Sequence, residues 1–260
     1  MLVIKVGGKE LENEDFLAGL AKAVASLPWP PVLVHGGGKG TSQLAARLGV
    51  PSRFVDGLRV TDEATLEVAV MGLVGQASTR LVLALVNAGV PALGLSGVDA
   101  GLVTAEKLAH PGGDLGWVGR PVAVNAGRLR ALLEAGFVPC LAPISRGTDG
   151  RLYNVNADHV AQAVAAALGA EALVFVTNVP GVLREGRVLP RLTPDDVDAL
   201  IEDGTITDGM IPKVRSACQA LEAGVRAVVI TNLKGLQAWK EERKVGTRIV
   251  AQQTHREGSP

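Results

Sequence analysis

A lysine at the tip of a short apolar run, followed by two glycines, can hold an anion. Leu2-Val3-Ile4-Lys5-Val6-Gly7-Gly8 has that form. An ammonium at the end of a buried strand is costly without a partner, and glycines let backbone amides approach a ligand or form an anion-binding nest. A surface lysine before an ordinary turn is the plain alternative. The pattern recurs in His35-Gly36-Gly37-Gly38-Lys39-Gly40-Thr41, where free amides and the helix dipole would favour negative charge. The loop is not a P-loop, because Gly40 follows Lys39, nor a G-x-G-x-x-G fingerprint, because Thr41 stands where the third glycine belongs. His35 reads as a packing or orienting residue rather than a catalyst.

Four further stretches carry polar groups at sites where a chain turns. Arg59, in Asp56-Gly57-Leu58-Arg59-Val60-Thr61, could clamp a carboxylate through its two-pronged guanidinium; pairing with Asp62 or Glu63 at the surface is the alternative. Asn154-Val155-Asn156-Ala157-Asp158 precedes an alanine-rich helix and offers more polar groups than an N-cap requires. Thr177-Asn178-Val179-Pro180-Gly181-Val182 follows a very apolar run as another strand-end loop. Thr207-Asp208-Gly209-Met210-Ile211-Pro212-Lys213 sets a lysine near a helix start, against the dipole. An anion between lysine and helix would explain it; a solvated lysine would also.

The elements that must position these residues alternate along the chain. Strands are predicted over 2–6, 32–35, 91–95, 137–141, 172–177, 227–231 and 248–250. Helices are predicted over 15–27, 44–48, 63–86, 127–135, 158–168, 194–201 and 213–223. Most strand runs lack in/out alternation, as in a parallel sheet covered on both faces. Gly49, Gly89, Gly136, Gly169 and Gly224 stand just past helices and before strands, the left-handed C′ position. Together these predict an α/β fold, a three-layer α/β/α sandwich on a mostly parallel open sheet. Residues 98–124, rich in glycine, predict β-hairpins hung on that sheet. A soft boundary near Gly169 divides a lobe of residues 1–169 from one of residues 170–260.

Composition removes several classes of function. The 260 residues hold 26 Lys plus Arg against 26 Asp plus Glu, so charge gives no reason to expect nucleic acid or an anionic membrane as partner. Apolar residues at 47% exclude a disordered chain. At 3% aromatic content, base-stacking platforms are scarce and the core must be Ala, Val and Leu. Cys140 and Cys218 cannot form a disulfide framework or a Cys-rich zinc site and are expected as buried thiols. No run approaches the roughly 18 consecutive apolar residues of a membrane span, and the opening apolar run is too short for a signal peptide. A cytoplasmic chain is expected, with a frayed polar end over 252–260.

The ordered set KVGG, HGGGK, GLRVT, DLGWVG, YNVNAD, TNVPGV, ITDGMIPK and GTRI resembles the amino-acid kinase superfamily, most closely its N-acetylglutamate kinase branch in arginine biosynthesis. The resemblance runs from Lys5 to about Val250. It implies that the N-terminal lobe binds the acetylated amino acid and the C-terminal lobe binds ATP. By motif, Gly37, Gly38, Arg59 and Asn154 would hold N-acetyl-L-glutamate, with Arg59 on its α-carboxylate. Gly8, Asn178, Val179, Pro180, Gly181, Val182, Leu183, Thr205, Ile206 and Thr207 would line the nucleotide site. Lys5 and Lys213 would stabilise the transition state, and Asp158 would hold both lysines. Asn178 stands where the family commonly has Asp.

The implied reaction phosphorylates the γ-carboxylate to an acyl phosphate. A side-chain carboxyl of this kind ordinarily titrates near pH ~4.3, so the acceptor is already an anion at neutral pH and no general base is required. The difficulty is charge repulsion, which two lysines, two glycine nests and Mg²⁺ would address. The Mg²⁺ is expected to arrive on ATP, held by phosphates and water, with no protein metal site. Two rivals stand beside this reading: a carrier-protein-linked aminoadipate or glutamate kinase of lysine biosynthesis, with residues 125–130 as a modest basic stretch, and a non-catalytic nucleotide-binding protein of the same fold. The chain starts directly on its first strand, and arginine-inhibited members carry an extra N-terminal helix. The expectation is a homodimer insensitive to arginine, joined along the 63–86 helix through Val68, Val70, Met71 and Leu73.

Overall fold

The computed structural model describes residues 1–240 and 245–252; all but the first residue of the expected frayed end, 252–260, lie outside them. The chain opens with β1 (Leu2–Val6), α1 (Glu14–Ala25), β2 (Val32–His35) and α2 (Gly38–Arg47). A hairpin of β3 (Phe54–Val55) and β4 (Leu58–Arg59) precedes a long helix. That helix comprises α3 (Glu63–Val70), a π-helical segment (Met71–Ala77) and α4 (Ser78–Asn87). Next come β5 (Ala92–Ser96), β6 (Val103–Lys107), β7 (Val118–Val124), α5 (Ala126–Glu134), β8 (Val138–Ala142), β9 (Ile144–Gly147), β10 (Leu152–Val155) and α6 (Ala157–Leu168). The remainder holds β11 (Ala172–Thr177), the hairpin β12 (Leu183–Arg184) with β13 (Arg187–Val188), β14 (Arg191–Leu192), α7 (Pro194–Glu202), α8 (Ile211–Glu222), β15 (Val228–Asn232), α9 (Leu233–Gln237) and β16 (Thr247–Ile249).

Eight strands form one sheet in the order β14-β16-β15-β11-β1-β2-β8-β5. All neighbours are parallel except β15 with β16. The central strands are buried on both faces, which is why their sequences lack alternation. The period of two persists in what each side chain meets. Val3, Val32, Val34, Leu173 and Phe175 face a core shared with α6, α7 and α8, while Leu2, Ile4, Val6, Leu33 and Val174 face one shared with α1 and α4. The three-layer α/β/α sandwich is therefore present. The five glycines expected past helix ends all have positive φ, from 61° at Gly169 to 93° at Gly224.

The short elements β3, β4, β12, β13, β14 and α9 were not predicted, and three predicted regions differ from expectation. Helix α2 begins at Gly38, six residues before the predicted start. Glycine disfavours helix interiors, but here the carbonyl of Gly37 accepts the Thr41 amide at 2.8 Å and the glycines occupy only the first turn. In the middle, β6 and β7 pair antiparallel as expected, but they close with β9 and β10 into a small four-stranded barrel, β10-β7-β6-β9. The long helix widens over Met71–Ala77, where Gly72 lies against Thr41: a Cβ there would sit 2.7 Å from the Thr41 hydroxyl. Cys140 is buried as expected; Cys218 is only partly so.

By length and composition the helix Glu63–Asn87 is apolar enough to cross a membrane, with 44% of its most apolar window buried. Its buried residues Val68, Ala69, Leu81 and Leu85 lie inside the folded domain.

Candidate active site

The ends of β1 and β2 bring the two glycine loops together backbone to backbone. The amide of Gly36 donates to the carbonyl of Val6 at 3.1 Å. A Cβ on Gly8 would lie 2.5 Å from both Cα and N of Gly37, so no side chain fits between the loops. Gly37 starts α2 without a side-chain cap, which leaves first-turn amides available to an anion.

Lys5, on β1, reaches across to the first turn of α6, where its Nζ lies 2.8 Å from Asp158 Oδ1. The contact is one of charge; its angle does not make a hydrogen bond. Asn156 caps α6 and accepts the Asp158 amide at 2.7 Å, which fixes the backbone that carries the carboxylate. Both side chains keep some exposure, 20% for Lys5 and 31% for Asp158.

Arg59, at the end of β4, is buried and has no carboxylate partner among the described residues. Its guanidinium donates to Ser52 Oγ at 2.6 Å, Ser42 Oγ at 2.7 Å and the Gly38 carbonyl at 3.2 Å. It also lies over the Phe54 ring, 4.6 Å from the centroid. Burial lowers its pKa, yet a guanidinium stays charged at any physiological pH. The surface pairing with Asp62 or Glu63 does not occur: Asp62 caps α3 by accepting the Thr65 amide at 2.8 Å. Asn154 donates to Thr61 Oγ1 at 3.2 Å, and that hydroxyl donates to the Arg59 carbonyl at 2.6 Å.

Two cavities meet at the Lys5–Asp158 pair. One, about 240 Å³, is lined by both of them with Gly37, Gly38, Arg59 and Asn154. Its two cations against one carboxylate suit an anionic ligand. The other, about 120 Å³, is lined by Lys5, Asp158, Thr177, Lys213 and Ser216, and by Glu10. A larger cavity of about 500 Å³ lies between α1 and α4, lined by Leu11, Leu17 and Leu83 together with polar residues. It is bigger and carries charges of its own, Glu12, Glu14 and Arg80, but they leave a net negative lining unsuited to an anion, so chemistry rather than size identifies the site.

The remaining expected residues line neither of these two cavities. Asn178 and Pro180 are exposed on the loop leaving β11 and Leu183 is exposed at the start of β12, while Val182 is buried, its amide donating to Thr247 Oγ1 at 2.8 Å. Gly181 is pressed on Thr247, where a Cβ would lie 2.6 Å from Oγ1. Thr205, Ile206 and Thr207 join α7 to α8, with Ile206 in the same buried cluster as Val182. Val182 and Ile206 can therefore offer a ligand only backbone groups. Val179 and Thr177 close a small turn through the Thr177 hydroxyl, which accepts the Val179 amide at 3.2 Å.

Two groups are set aside by their surroundings. His35 is fully buried, and desolvation holds its pKa down to about 4 despite the neighbouring Gly36 carbonyl; it is neutral at pH 7. Burial pushes the Cys140 thiol up to about 12, which removes it as a nucleophile. Among the described residues no three His, Cys, Asp or Glu gather as metal ligands. The groups that fix Arg59, namely Ser42, Ser52 and Phe54, carry no signal in the sequence. Serines and an aromatic near a hairpin are too common to mark in a chain, and only the fold brings Ser42 within reach.

The profile of the amino acid kinase family matches residues 1–232. An acetylglutamate kinase of Roseiflexus castenholzii is 57% identical over 235 residues, which is 90% of each chain. Among solved structures, smu.665 of Streptococcus mutans aligns at 33% identity and TM-score 0.76, covering 96% of this chain and 98% of that one. The N-acetylglutamate synthase of Neisseria gonorrhoeae, complexed with coenzyme A and N-acetyl-glutamate, aligns at 29% identity and TM-score 0.81, covering 96% of this chain and 59% of the synthase.

Proposed function

This chain belongs to the amino acid kinase family, and from that membership we propose that it transfers the γ-phosphoryl group of ATP to the γ-carboxylate of N-acetyl-L-glutamate, the activity named by its acetylglutamate kinase relatives. The observation that carries the site assignment is the Lys5–Asp158 pair at the meeting point of two cavities, one with Arg59 and the glycine loops, the other with Lys213. The synthase is a longer protein, and nothing in the matched part requires its chemistry.

In this reading Arg59 takes the α-carboxylate of the substrate, with Asn154 beside it. Ser42, Ser52 and Phe54 hold the guanidinium in advance, which lowers the ordering cost of binding. Gly37 and Gly38 present amides to the acyl end and the incoming phosphoryl group. A γ-carboxylate oxygen forms the new bond to phosphorus as the bond to the β,γ-bridging oxygen breaks, and ADP leaves with that electron pair. The acceptor is already ionised, so no proton moves. Lys5 and Lys213 stabilise the charge on the transferring group, and Asp158 keeps the two ammonium groups near it. Residues 178–183 with 205–207, and Gly8, hold the nucleotide. With neutral Asn178 there, any contact to the nucleotide at that position carries no charge. Mg²⁺ accompanying ATP would be held by phosphates and water and would supply further neutralisation of the phosphate charge.

Residues 1–169 form the amino-acid lobe and 170–260 the nucleotide lobe of a cytoplasmic homodimer. The rival, a carrier-linked substrate, needs a free basic surface. Arg128 and Arg130 donate to local carbonyls, of Ala100 and of Ala167 and Leu168, and remain exposed and charged, so turnover decides between the two substrates. Comparing ADP release on free N-acetyl-L-glutamate and on a carrier-bound glutamate tests this, since turnover confined to the carrier-bound form contradicts the proposal. Lys5→Ala and Lys213→Ala each lower kcat by about a hundredfold or more with a smaller change in KM; unchanged kcat at either position removes that residue's role.

A further inference from the structure

The helices that carry two of the proposed charged groups, α6 with Asp158 and α8 with Lys213, pack through small apolar side chains. Val160, Ala161 and Val164 of α6 and Val214, Ala217 and Ala220 of α8 belong to one buried cluster. A surface of valine and alanine resists lateral sliding weakly, and sliding of packed helices is a common mode of lobe movement.

One polar contact interrupts that surface. Gln162 is 7% exposed, and its Nε2 donates to the Ser216 carbonyl at 3.0 Å and to Ser216 Oγ at 2.9 Å. Gln162 stands four residues after Asp158 on α6, and Ser216 three residues after Lys213 on α8. Each is thus one helical turn from a charged residue and on the same side of its helix. Ser216 also lines the small cavity in which Lys5, Asp158 and Lys213 meet. No apolar side chain could replace both bonds, and a buried amide without partners is costly. The contact therefore fixes one register of α8 against α6.

We infer that Gln162 is a positioning residue: its paired hydrogen bonds to Ser216 set the placement of Lys213 relative to Asp158 during phosphoryl transfer. The inference rests on the roles proposed above for those two residues. Misplacement of a reacting or charge-stabilising group by about 1 Å can lower a rate by up to about a hundredfold, so the contact acts on kcat rather than on either substrate's binding.

The test compares the full-length enzyme with Gln162→Leu, Ser216→Ala and Ser216→Thr, measuring kcat, both KM values and Tm. Gln162→Leu keeps side-chain volume and removes the donors; kcat falls about tenfold with both KM values within about threefold. Ser216→Ala removes one acceptor and lowers kcat about threefold. Ser216→Thr restores the hydroxyl, and kcat returns to within about twofold of the parent. If Gln162→Leu does not fold, the Ser216 pair alone decides. A kcat within about twofold of the parent in the alanine and leucine variants, with or without a lower Tm, overturns the inference, because a structural pin would move only Tm. Gln162→Leu is also placed in a Lys213→Ala background. There it should change kcat by less than about twofold, since neighbouring residues acting as a unit are non-additive; a full tenfold fall overturns it. Parent-like kcat in Lys213→Ala alone would instead sink the catalytic reading of that lysine, leaving the outcome for Gln162 separately readable.

Discussion

His35 and Arg59 both stand next to the glycine loops, and burial lowers the pKa of each, but only the imidazole loses its charge. The imidazole of His35 is neutral in the folded chain, its pKa held to about 4 by desolvation. The unfolded chain takes up a proton near pH ~6.5, so between these values the unfolded state binds more protons and stability falls as pH falls. From pH 7 to pH 5 this one group costs about 2 kcal/mol. Denaturant melts of the parent and of His35→Gln at both pH values check this: the variant should lose about 2 kcal/mol less over that interval, and equal losses contradict it. The burial of His35 was legible from its place at the end of an apolar run. Arg59 kept two readings open, because its serine partners come from 17 and 7 residues away and no local spacing marks them.

At the scale of elements, two glycine loops act as one surface. Gly8 meets the backbone of Gly37 and Gly38, and backbone cannot move aside as a long side chain can. Gly8→Ala should therefore push the loops apart, with a loss of about 1–3 kcal/mol in stability and about a hundredfold or more in kcat. Gly38, where an added Cβ meets nothing within 4 Å, should accept Ala with no loss of stability and serves as the control. Thermal melts and turnover of the two variants decide; equal Tm values contradict this picture of the loops. The order of strands and helices was legible because buried parallel strands are long apolar runs and helix ends carry glycine. The barrel of β6, β7, β9 and β10 was half legible. Strands β9 and β10 mix Ser, Arg and Asn with apolar residues and turn within a few positions, so their sequences mark no period.

Over the whole molecule, equal numbers of acidic and basic residues average over an uneven distribution. Arg59 and Lys5 face the larger cavity of the site against Asp158 alone, whereas in the smaller one Lys5 and Lys213 are matched by Asp158 and Glu10. Lys39, from the second glycine loop, lies 3.5 Å from Glu12. On the outer face, Met71, Leu83 and Val86 of the long helix are 45%, 59% and 51% exposed. Val68 and Leu73, expected at a dimer contact, are buried within the chain, so a contact there would use the outer set. Native mass spectrometry of the parent and of Leu83→Glu checks the proposed homodimer, with a dimer for the first and a monomer for the second; a parent monomer contradicts it.

The atom that receives the phosphoryl group can be identified directly, because an acyl phosphate can be captured as it forms. With ATP, Mg²⁺ and hydroxylamine, N-acetyl-L-glutamate should give a hydroxamate in one-to-one ratio with ADP, while L-glutamate and N-acetyl-L-aspartate stay near background. ADP formed without hydroxamate, or equal yields from all three acceptors, would contradict it.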